Sequence, residues 1–264
     1  MCLIVFSYKQ HPKYDLILAA NRDEEYARPT REAKYWDEHP NILAGKDIKA
    51  GGTWFGVTRG GSFAALTNFR DPTIQKENPP SRGHLVLDYL KSLKLPAEYL
   101  TQVDNEADRY MGFSLLAGTP QQLSYYSNQQ KKILQLDSGL YGLSNHLLNT
   151  PWPKVKRAKQ ELQKLTENEK VSVEALFDLL TDDRQAPDDS LPSTGIPKEI
   201  EKKVSPIFIK GENYGTRCST VLLLSKEGEA TFTERRFKAG TMEIDDENEY
   251  HFSLSSEKKS ISDT

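Results

Sequence analysis

Cysteine is scarce in this sequence: Cys2 and Cys218 are the only two among 264 residues. Two cysteines do not make the disulfide framework of a small secreted domain. Long apolar runs are lacking too, so no segment predicts a bilayer-spanning helix or an integral membrane protein. The apolar start of the chain has no basic segment before it and no small-residue cleavage pattern after it, which predicts no signal peptide. We therefore expect a cytoplasmic protein with reduced thiols.

A surplus of positive charge is also absent. The 35 lysines and arginines are outnumbered by 38 aspartates and glutamates, which gives a formal net charge of −3. A chain of this charge has no overall basic field, so we expect no nucleic-acid partner. The five histidines lack the spacing of a zinc site, and no glycine-rich loop of the Walker type is present. The sequence predicts no metal site and no cofactor.

The sequence does contain a series of apolar runs of strand length. They are residues 3–6, 16–20, 63–66, 113–117 and 221–224. Several are continuous rather than alternating, which is typical of strands covered on both faces. A polar stretch with a proline separates the first two runs and predicts that they form a hairpin.

Helical periodicity is confined to two blocks of the chain. The predicted helices are at residues 85–93, from about Pro96, at residues 152–165 and at Val173–Leu180. Thr150 is the expected N-cap of the third helix. Strands buried on both faces, with helices in two blocks, favour an α+β fold of packed sheets covered outside by helices. The polar residues 182–203 predict a long surface loop.

Cys2 is the first residue that could do chemistry. A small second residue allows removal of Met1, which would leave a thiol and an α-amine on one residue. An unperturbed α-amine has a pKa of about 7.7–8.0 and can act as a base near neutral pH without a histidine. The alternative is a small buried residue at the start of a strand, which is common for a free cysteine.

Four polar residues, Asn21-Arg22-Asp23-Glu24, directly follow the second apolar run. A hairpin from Cys2 would return this strand end to the start of the chain. There an arginine can stabilise a thiolate, and a carboxylate can hold the ammonium group. The alternative is an ordinary solvated turn.

Three further residues sit at strand ends. Asn68 and Asn145 each follow a short apolar strand, where a side-chain amide can donate to a developing oxyanion or simply form a turn. Arg217 lies in a loop of hydrogen-bonding residues, 214–220, before a buried strand. It could line a pocket, or it could pair with a surface carboxylate.

Several unusual strings occur in order along the chain: MCLIVF, LILAANRDE, AGGTWFGVTRGG, FAALTN, YGLSN, NTPWPK and YGTR. In these strings the sequence resembles the NRDE family, also called the Transport and Golgi organisation protein 2 family. That family is similar to N-terminal-nucleophile (Ntn) hydrolases of the penicillin V acylase and bile salt hydrolase type. The resemblance implies a four-layer αββα sandwich with two antiparallel sheets. It also implies one domain over residues 1–254, with a polar tail at 255–264.

The resemblance implies roles for five residues. Cys2 would be nucleophile and base, Asp23 would hold its amine, and Arg22 would stabilise the thiolate. Asn68 and Asn145 would line the oxyanion hole. The acylases have Arg, Asn, any residue and Asp in this region, whereas this chain reads Asn21-Arg22-Asp23.

This departure leaves Asn21 as an alternative participant and Arg217 as a possible second cation. The expected function is hydrolysis of a non-peptide C–N amide, or a related acyl bond, of a small molecule. Trp54 and Phe69 would pack an apolar acyl group, although both residue types are more often core. The alternative is a non-catalytic carrier of the same fold for haem or for acyl-CoA and lipid.

Overall fold

Residues 2–255, which the computed structural model describes, form two stacked β-sheets with helices on both outer faces. The strands are β1 (Cys2–Tyr8), β2 (Tyr14–Glu25), β3 (Thr30–Trp36), β4 (His39–Asp47), β5 (Phe55–Thr58), β6 (Phe63–Asn68), β7 (Phe113–Gly118), β8 (Leu123–Ser127), β9 (Lys132–Gln135), β10 (Gly139–Leu143), β11 (Tyr214–Ser225), β12 (Glu229–Phe237) and β13 (Ile244–Ser253). The helices are α1 (Gly83–Lys91), α2 (Pro96–Glu106), α3 (Pro153–Thr166), α4 (Val173–Leu180) and α5 (Lys198–Lys203).

Both sheets are antiparallel throughout. The six-stranded sheet has the order β10-β1-β2-β11-β12-β13, and the seven-stranded sheet runs from β3 to β9 in chain order. The predicted hairpin of β1 and β2 lies near the middle of the six-stranded sheet and pairs Cys2 with Arg22. The start of β1 therefore lies inside the sandwich, beside the end of β2.

The continuous apolar runs are explained by burial of both strand faces. In β1, Ile4 and Phe6 point into the core between the two sheets, whereas Leu3 and Val5 point to the helix layer. Successive strand residues face opposite sides, so a strand covered on both sides needs apolar residues at every position. This confirms the prediction from the uninterrupted runs.

The helices cover the two outer faces. α1 and α2 pack on the seven-stranded sheet through an apolar cluster that includes Val86 and Leu100. α3 and α4 pack on the six-stranded sheet through a second cluster that includes Val155 and Phe177. The result is four layers in the order helix, sheet, sheet, helix, as predicted. None of the helices in the described part of the chain is long and apolar enough to cross a membrane.

Some local expectations were wrong. α3 begins at Pro153 with Trp152 as its N-cap, so Thr150 lies outside the helix. The segment 182–203 is not only a surface loop, because it ends in α5 and buries Glu201. β3, β12 and β13 were not predicted because charged residues interrupt their apolar positions, and β4 was not predicted because its apolar run is only three residues long. Residues 256–264 of the predicted tail lie outside the described residues, and the domain boundary at 254 stays a prediction.

Candidate active site

A row of four side chains crosses the six-stranded sheet on the face that looks toward the other sheet. Arg22 on β2 lies opposite Cys2 on one side and opposite Cys218 on the other. Cys218 in turn lies opposite Arg236 on β12. Directly opposed residues of antiparallel strands share a face and are close neighbours. All four line one cavity of about 340 Å³ between the layers.

The cavity reaches the size range of small-molecule sites. Its wall comes from both sheets and from the loop before α1. The lining residues used below are Cys2, Arg22, Asp23, Glu24, Arg28, Asp47, Trp54, Asn68, Arg82, Arg217, Cys218, Glu234 and Arg236. Thiol, carboxyl, guanidinium and amide groups therefore surround one cavity.

The backbone of Cys2 is fixed by two side chains that follow β10. Its N–H donates to Asn145 Oδ1 at 3.3 Å, and its carbonyl accepts from Ser144 Oγ at 2.8 Å. Asn145 Nδ2 donates to the carbonyl of Asn68 at 2.9 Å. Asn145 therefore connects the start of β1 to the end of β6. This places Asn145 at the nitrogen of Cys2, and Asn68 in the cavity wall.

Cys2 is half-buried, and desolvation of its thiol raises the thiol pKa above the ordinary cysteine value. The carboxylate of Asp23 acts in the same direction, while the backbone N–H of Asp23 and the charge of Arg22 lower this pKa. The raising effect dominates, so the thiol is protonated at neutral pH. A nucleophilic Cys2 needs a base beside it rather than a preformed thiolate.

Asp23 occupies the helix side of the same sheet, because neighbouring strand residues alternate between faces. Its Oδ1 accepts from Thr216 Oγ1 at 2.7 Å, and the same hydroxyl accepts from Ile209 N–H at 2.9 Å. Burial raises the pKa of the Asp23 carboxyl, and the nearby charge of Lys154 lowers it. The Thr216 hydroxyl therefore helps to anchor a buried carboxyl group next to the first residue of β1.

The side chain of Asn21 also lies on the helix side of the sheet, but its hydrogen-bond partners differ from those of Asp23. Its Nδ2 donates to the carbonyls of Leu180 and Ile207 at 2.9 and 3.0 Å, and its Oδ1 accepts from Ser219 Oγ at 2.6 Å. Asn21 is not among the described residues that line the cavity. The structure places it as a tie between β2, β11 and the helix layer, away from the predicted substrate contact.

The two predicted aromatic contacts are separated in the structure. Trp54 lines the cavity and packs edge-on against Phe55, with ring centroids 5.6 Å apart. Phe69 packs against His146 with the two rings tilted and their centroids 4.6 Å apart, and it is not one of the described lining residues. An apolar group in the cavity would meet Trp54 but not Phe69.

Arg217 lines the cavity, but not as a partner of a surface carboxylate. Its Nη1 donates to the carbonyl of Glu25 at 3.0 Å and also to the carbonyl of Arg28. Burial lowers the pKa of the Arg217 guanidinium, and the charge of Arg22 acts in the same direction. Arg217 therefore supports the backbone at the end of β2 from the cavity wall.

Two of the cations that the sequence did not predict lie close to the chemistry of the site. Lys154, in the first turn of α3, is fully enclosed and donates to the carbonyl of Val204 at 3.2 Å. Burial lowers the pKa of Lys154 to about 8, and the Asp23 carboxylate opposes that shift. Arg82 precedes α1, lines the cavity and donates to the carbonyl of Gly112 at 2.8 Å. The only sequence signal for Lys154 is its place in the string NTPWPK.

The family model described as Transport and Golgi organisation 2 matches residues 1–239. The chain belongs to this family. A Transport and Golgi organization protein 2 homolog of Bos taurus is 37% identical over 256 residues, covering 89% of this chain and 92% of the relative. A Transport and Golgi organization 2 homolog of Mus musculus is 36% identical and covers 97% of this chain and 100% of the relative. The resemblance seen in the sequence strings is confirmed.

Two solved structures share the architecture. Penicillin V acylase from Agrobacterium tumefaciens superposes with a TM-score of 0.54 at 11% identity, covering 96% of this chain and 86% of that chain. A mutant conjugated bile acid hydrolase from Clostridium perfringens gives a TM-score of 0.54 at 10% identity, covering 95% and 92%. At such low identity the likeness concerns the fold alone. It confirms the α+β, Ntn-hydrolase-type sandwich of two antiparallel sheets.

Proposed function

We propose that this protein is a cysteine Ntn hydrolase that cleaves a non-peptide C–N amide, or a related acyl bond, of a small molecule. The observation that carries the proposal is the placement of Cys2. Its thiol side lines a small-molecule-sized cavity, while its nitrogen lies 3.3 Å from Asn145 Oδ1. Nucleophile and prospective base are thus held on one residue by the surrounding fold.

The proposed reaction starts with removal of Met1, which converts the nitrogen of Cys2 into a free α-amine. The amine accepts the thiol proton, and the thiolate attacks the substrate carbonyl to form a tetrahedral intermediate. The C–N bond breaks as the leaving amine takes up the proton, leaving a thioester on Cys2. Water, deprotonated by the freed α-amine, then attacks the thioester and releases the acid.

The neighbouring residues have separate tasks in this proposal. Asn145 Oδ1 accepts from the α-amine, and the Asp23 carboxyl keeps that amine in place. Arg22 and the backbone N–H of Asp23 stabilise the thiolate, since both act to lower the thiol pKa. Asn68 is the lining residue that could donate to the oxyanion. Nδ2 of Asn145 has one hydrogen engaged by Asn68, and its second hydrogen is available for the same purpose.

The test is mass spectrometry of the purified protein with activated acyl compounds. Intact mass must show loss of Met1, because a retained methionine blocks the amine base. An acyl adduct must then appear and map to the peptide of Cys2 rather than to that of Cys218. Cys2→Ser should abolish the thioester adduct and the turnover of acyl amides. Turnover that survives this substitution would remove Cys2 as the nucleophile.

One observation favours the second candidate, a non-catalytic carrier for haem, acyl-CoA or lipid. Burial raises the thiol pKa of Cys2 instead of lowering it, which is the opposite of an activated thiolate. Saturable ligand binding without an adduct at Cys2 would support the carrier. A cytoplasmic location completes the proposal, and fractionation of cells tests it.

A further inference from the structure

The cavity wall has more cationic than acidic side chains, although the whole chain is slightly acidic. The cations are Arg22, Arg28, Arg31, Lys46, Arg82, Arg217 and Arg236, and the acids are Glu24, Asp47 and Glu234; Asp23 borders the cavity, but its carboxyl lies on the helix side. Burial raises the pKa of Glu234, which weakens its negative charge. Positive charge is therefore concentrated at this one place, and such charge is costly inside a protein unless an anion balances it.

Three of these cations have carboxylate partners, so their charges are already balanced. Arg28 pairs with Asp47 at 2.7 Å, and Lys46 pairs with Glu38. Arg236 lies 3.7 Å from Glu32. These pairs balance the charge of three of the seven cations.

Of the four cations that remain, Arg31 is exposed, and Arg217 donates to two backbone carbonyls. Arg22 and Arg82 therefore lack a hydrogen-bonded carboxylate among the described residues. Arg22 is 8% exposed, and its side chain donates no hydrogen bond to any of residues 2–255. It forms ion pairs with Glu24 and Asp47, but at 3.9 Å these lie beyond hydrogen-bonding distance. Arg82 is half-buried and donates to a neutral carbonyl, that of Gly112. A guanidinium has five N–H donors, so most of those on these two side chains remain available.

The N-terminus of α1 adds a third positive element. Ser81, Arg82 and Gly83 line the cavity, and Arg82 is the N-cap residue without a side-chain cap bond. The first turn of α1 has no acidic residue. The N–H groups of His84 and Leu85 already donate to the carbonyls of Ser81 and Arg82. The helix N-terminus therefore favours an anion through the helix dipole, together with the adjacent Arg82 side chain.

The loop that carries Arg82 is held tightly in place. Thr53 N–H donates to the carbonyl of Gly83 at 3.2 Å. A Cβ atom on Gly52 would lie only 2.6 Å from the carbonyl carbon of Gly83, so the two backbones touch. A preorganised cation binds an anion without paying for the ordering of its own loop.

We propose that the substrate carries an anionic group, a carboxylate or a phosphate, which binds to Arg82 and the N-terminus of α1 in the space that Arg22 also faces. The ligand class is then an acyl compound with both an apolar part, received by Trp54, and an anionic part. This inference rests on the proposed function for the reacting bond, but the anion preference itself is a matter of binding.

Equilibrium binding tests it with three matched probes on the Cys2→Ala protein, which cannot turn them over. The probes are N-octanoylglycine, its neutral carboxamide, and the analogue with a phosphonate in place of the carboxylate. We expect at least one anionic probe to bind about tenfold or more tightly than the neutral one, as for a charge-assisted hydrogen bond. Which anionic probe binds better identifies the anion. Equal or undetectable binding of all three overturns the proposal.

Substitutions at Arg82 locate the effect. Arg82→Gln should remove most of the anion preference, while Arg82→Lys, which keeps the charge, should retain part of it. Arg235→Gln is the control, because Arg235 faces the outer side over the Phe177 ring and pairs with Glu174. A preference that survives Arg82→Gln, or that Arg235→Gln removes equally, contradicts the assignment.

The outcome also separates this inference from the proposed function. An anion preference without any acyl adduct on the wild-type protein would contradict the hydrolase proposal and still support the anion site. Acyl adducts that form equally well from neutral and anionic compounds would support the hydrolase and contradict the anion site.

Discussion

The backbone nitrogen of Cys2 and the side-chain oxygen of Asn145 are 143 residues apart in sequence and 3.3 Å apart in space. The same asparagine donates to the carbonyl of Asn68. One amide side chain therefore links the start of β1 to the ends of β6 and β10. A side chain in this place controls where the nitrogen of residue 2 points. The base and the thiol of the proposed mechanism depend on that direction.

Asn145→Ala should slow acyl-adduct formation at Cys2 by at least about tenfold, because the amine loses its acceptor. It should also lower the free energy of unfolding by about 1–3 kcal/mol, since two backbone groups lose their partner in a buried place. Intact-mass kinetics and chemical denaturation measure the two effects. Asn128→Ala is the matched control: Asn128 is equally buried and binds Phe113 N–H at 2.9 Å, away from Cys2. It should lose stability but not acylation, and equal acylation in both variants would contradict the role of Asn145.

Asp23→Asn should separate stability from activity. Burial raises the pKa of Asp23, so its charged form is unfavourable in the folded state at neutral pH. The amide removes that cost and can still accept from Thr216, so the variant should be at least as stable as the wild type at pH 7. Because the native state takes up its proton first, this advantage should shrink as pH falls through the raised pKa. Acyl-adduct formation should fall sharply because the amine loses its anionic partner; unchanged acylation would contradict that role.

Gly52→Ala should destabilise the protein by about 1–3 kcal/mol through overpacking. The added methyl group would lie 2.6 Å from the backbone of Gly83, which has no flexible side chain to move aside. Gly45→Ala, in the same cavity wall, meets its nearest atom at 3.3 Å and should cost less. Thermal and urea unfolding compare the two. Equal stabilities would show that the loop before α1 adjusts freely.

Much of the fold was accessible from residue patterns, because uninterrupted apolar runs occur only where both strand faces are covered. The hairpin that brings Arg22 to Cys2 followed from two such runs with a polar turn between them. Helix α4 has the predicted bounds for a similar reason, since its apolar residues recur with helical spacing. Such local patterns predict the structure correctly because tertiary packing requires the same positions to be apolar.

The parts of the site that could not be predicted are polar residues buried by distant contacts. Glu234 and Arg236 alternate with other polar residues in β12, and only the opposite sheet turns their face into a cavity wall. Lys154 reads as an ordinary charged residue near a helix start, but Asp23 and Val204 enclose it from other elements. No pattern within β12 or α3 distinguishes such positions from solvated ones.

Lys154 should make the stability of the protein depend on pH in the alkaline range. Its pKa is about 8 in the folded protein against an ordinary value of 10.5, so the unfolded state binds more protons between these two values. Stability from this group therefore rises with pH between about 8 and 10.5, by an upper limit of about 3 kcal/mol. Below pH 8 the full cost of the buried charge is present.

Lys154→Met should remove this alkaline rise, and urea unfolding at pH 7, 8.5 and 10 measures it against the wild type. The control is Lys164→Met in the same helix, because Lys164 is exposed and pairs with Glu161 on the protein surface. The methionine variant should also raise the pKa of Asp23 further, since a lowering charge is gone. Identical pH profiles for wild type and Lys154→Met would show that Lys154 does not titrate in this window. If Lys164→Met also abolished the alkaline rise in stability, groups other than Lys154 would be responsible for that rise.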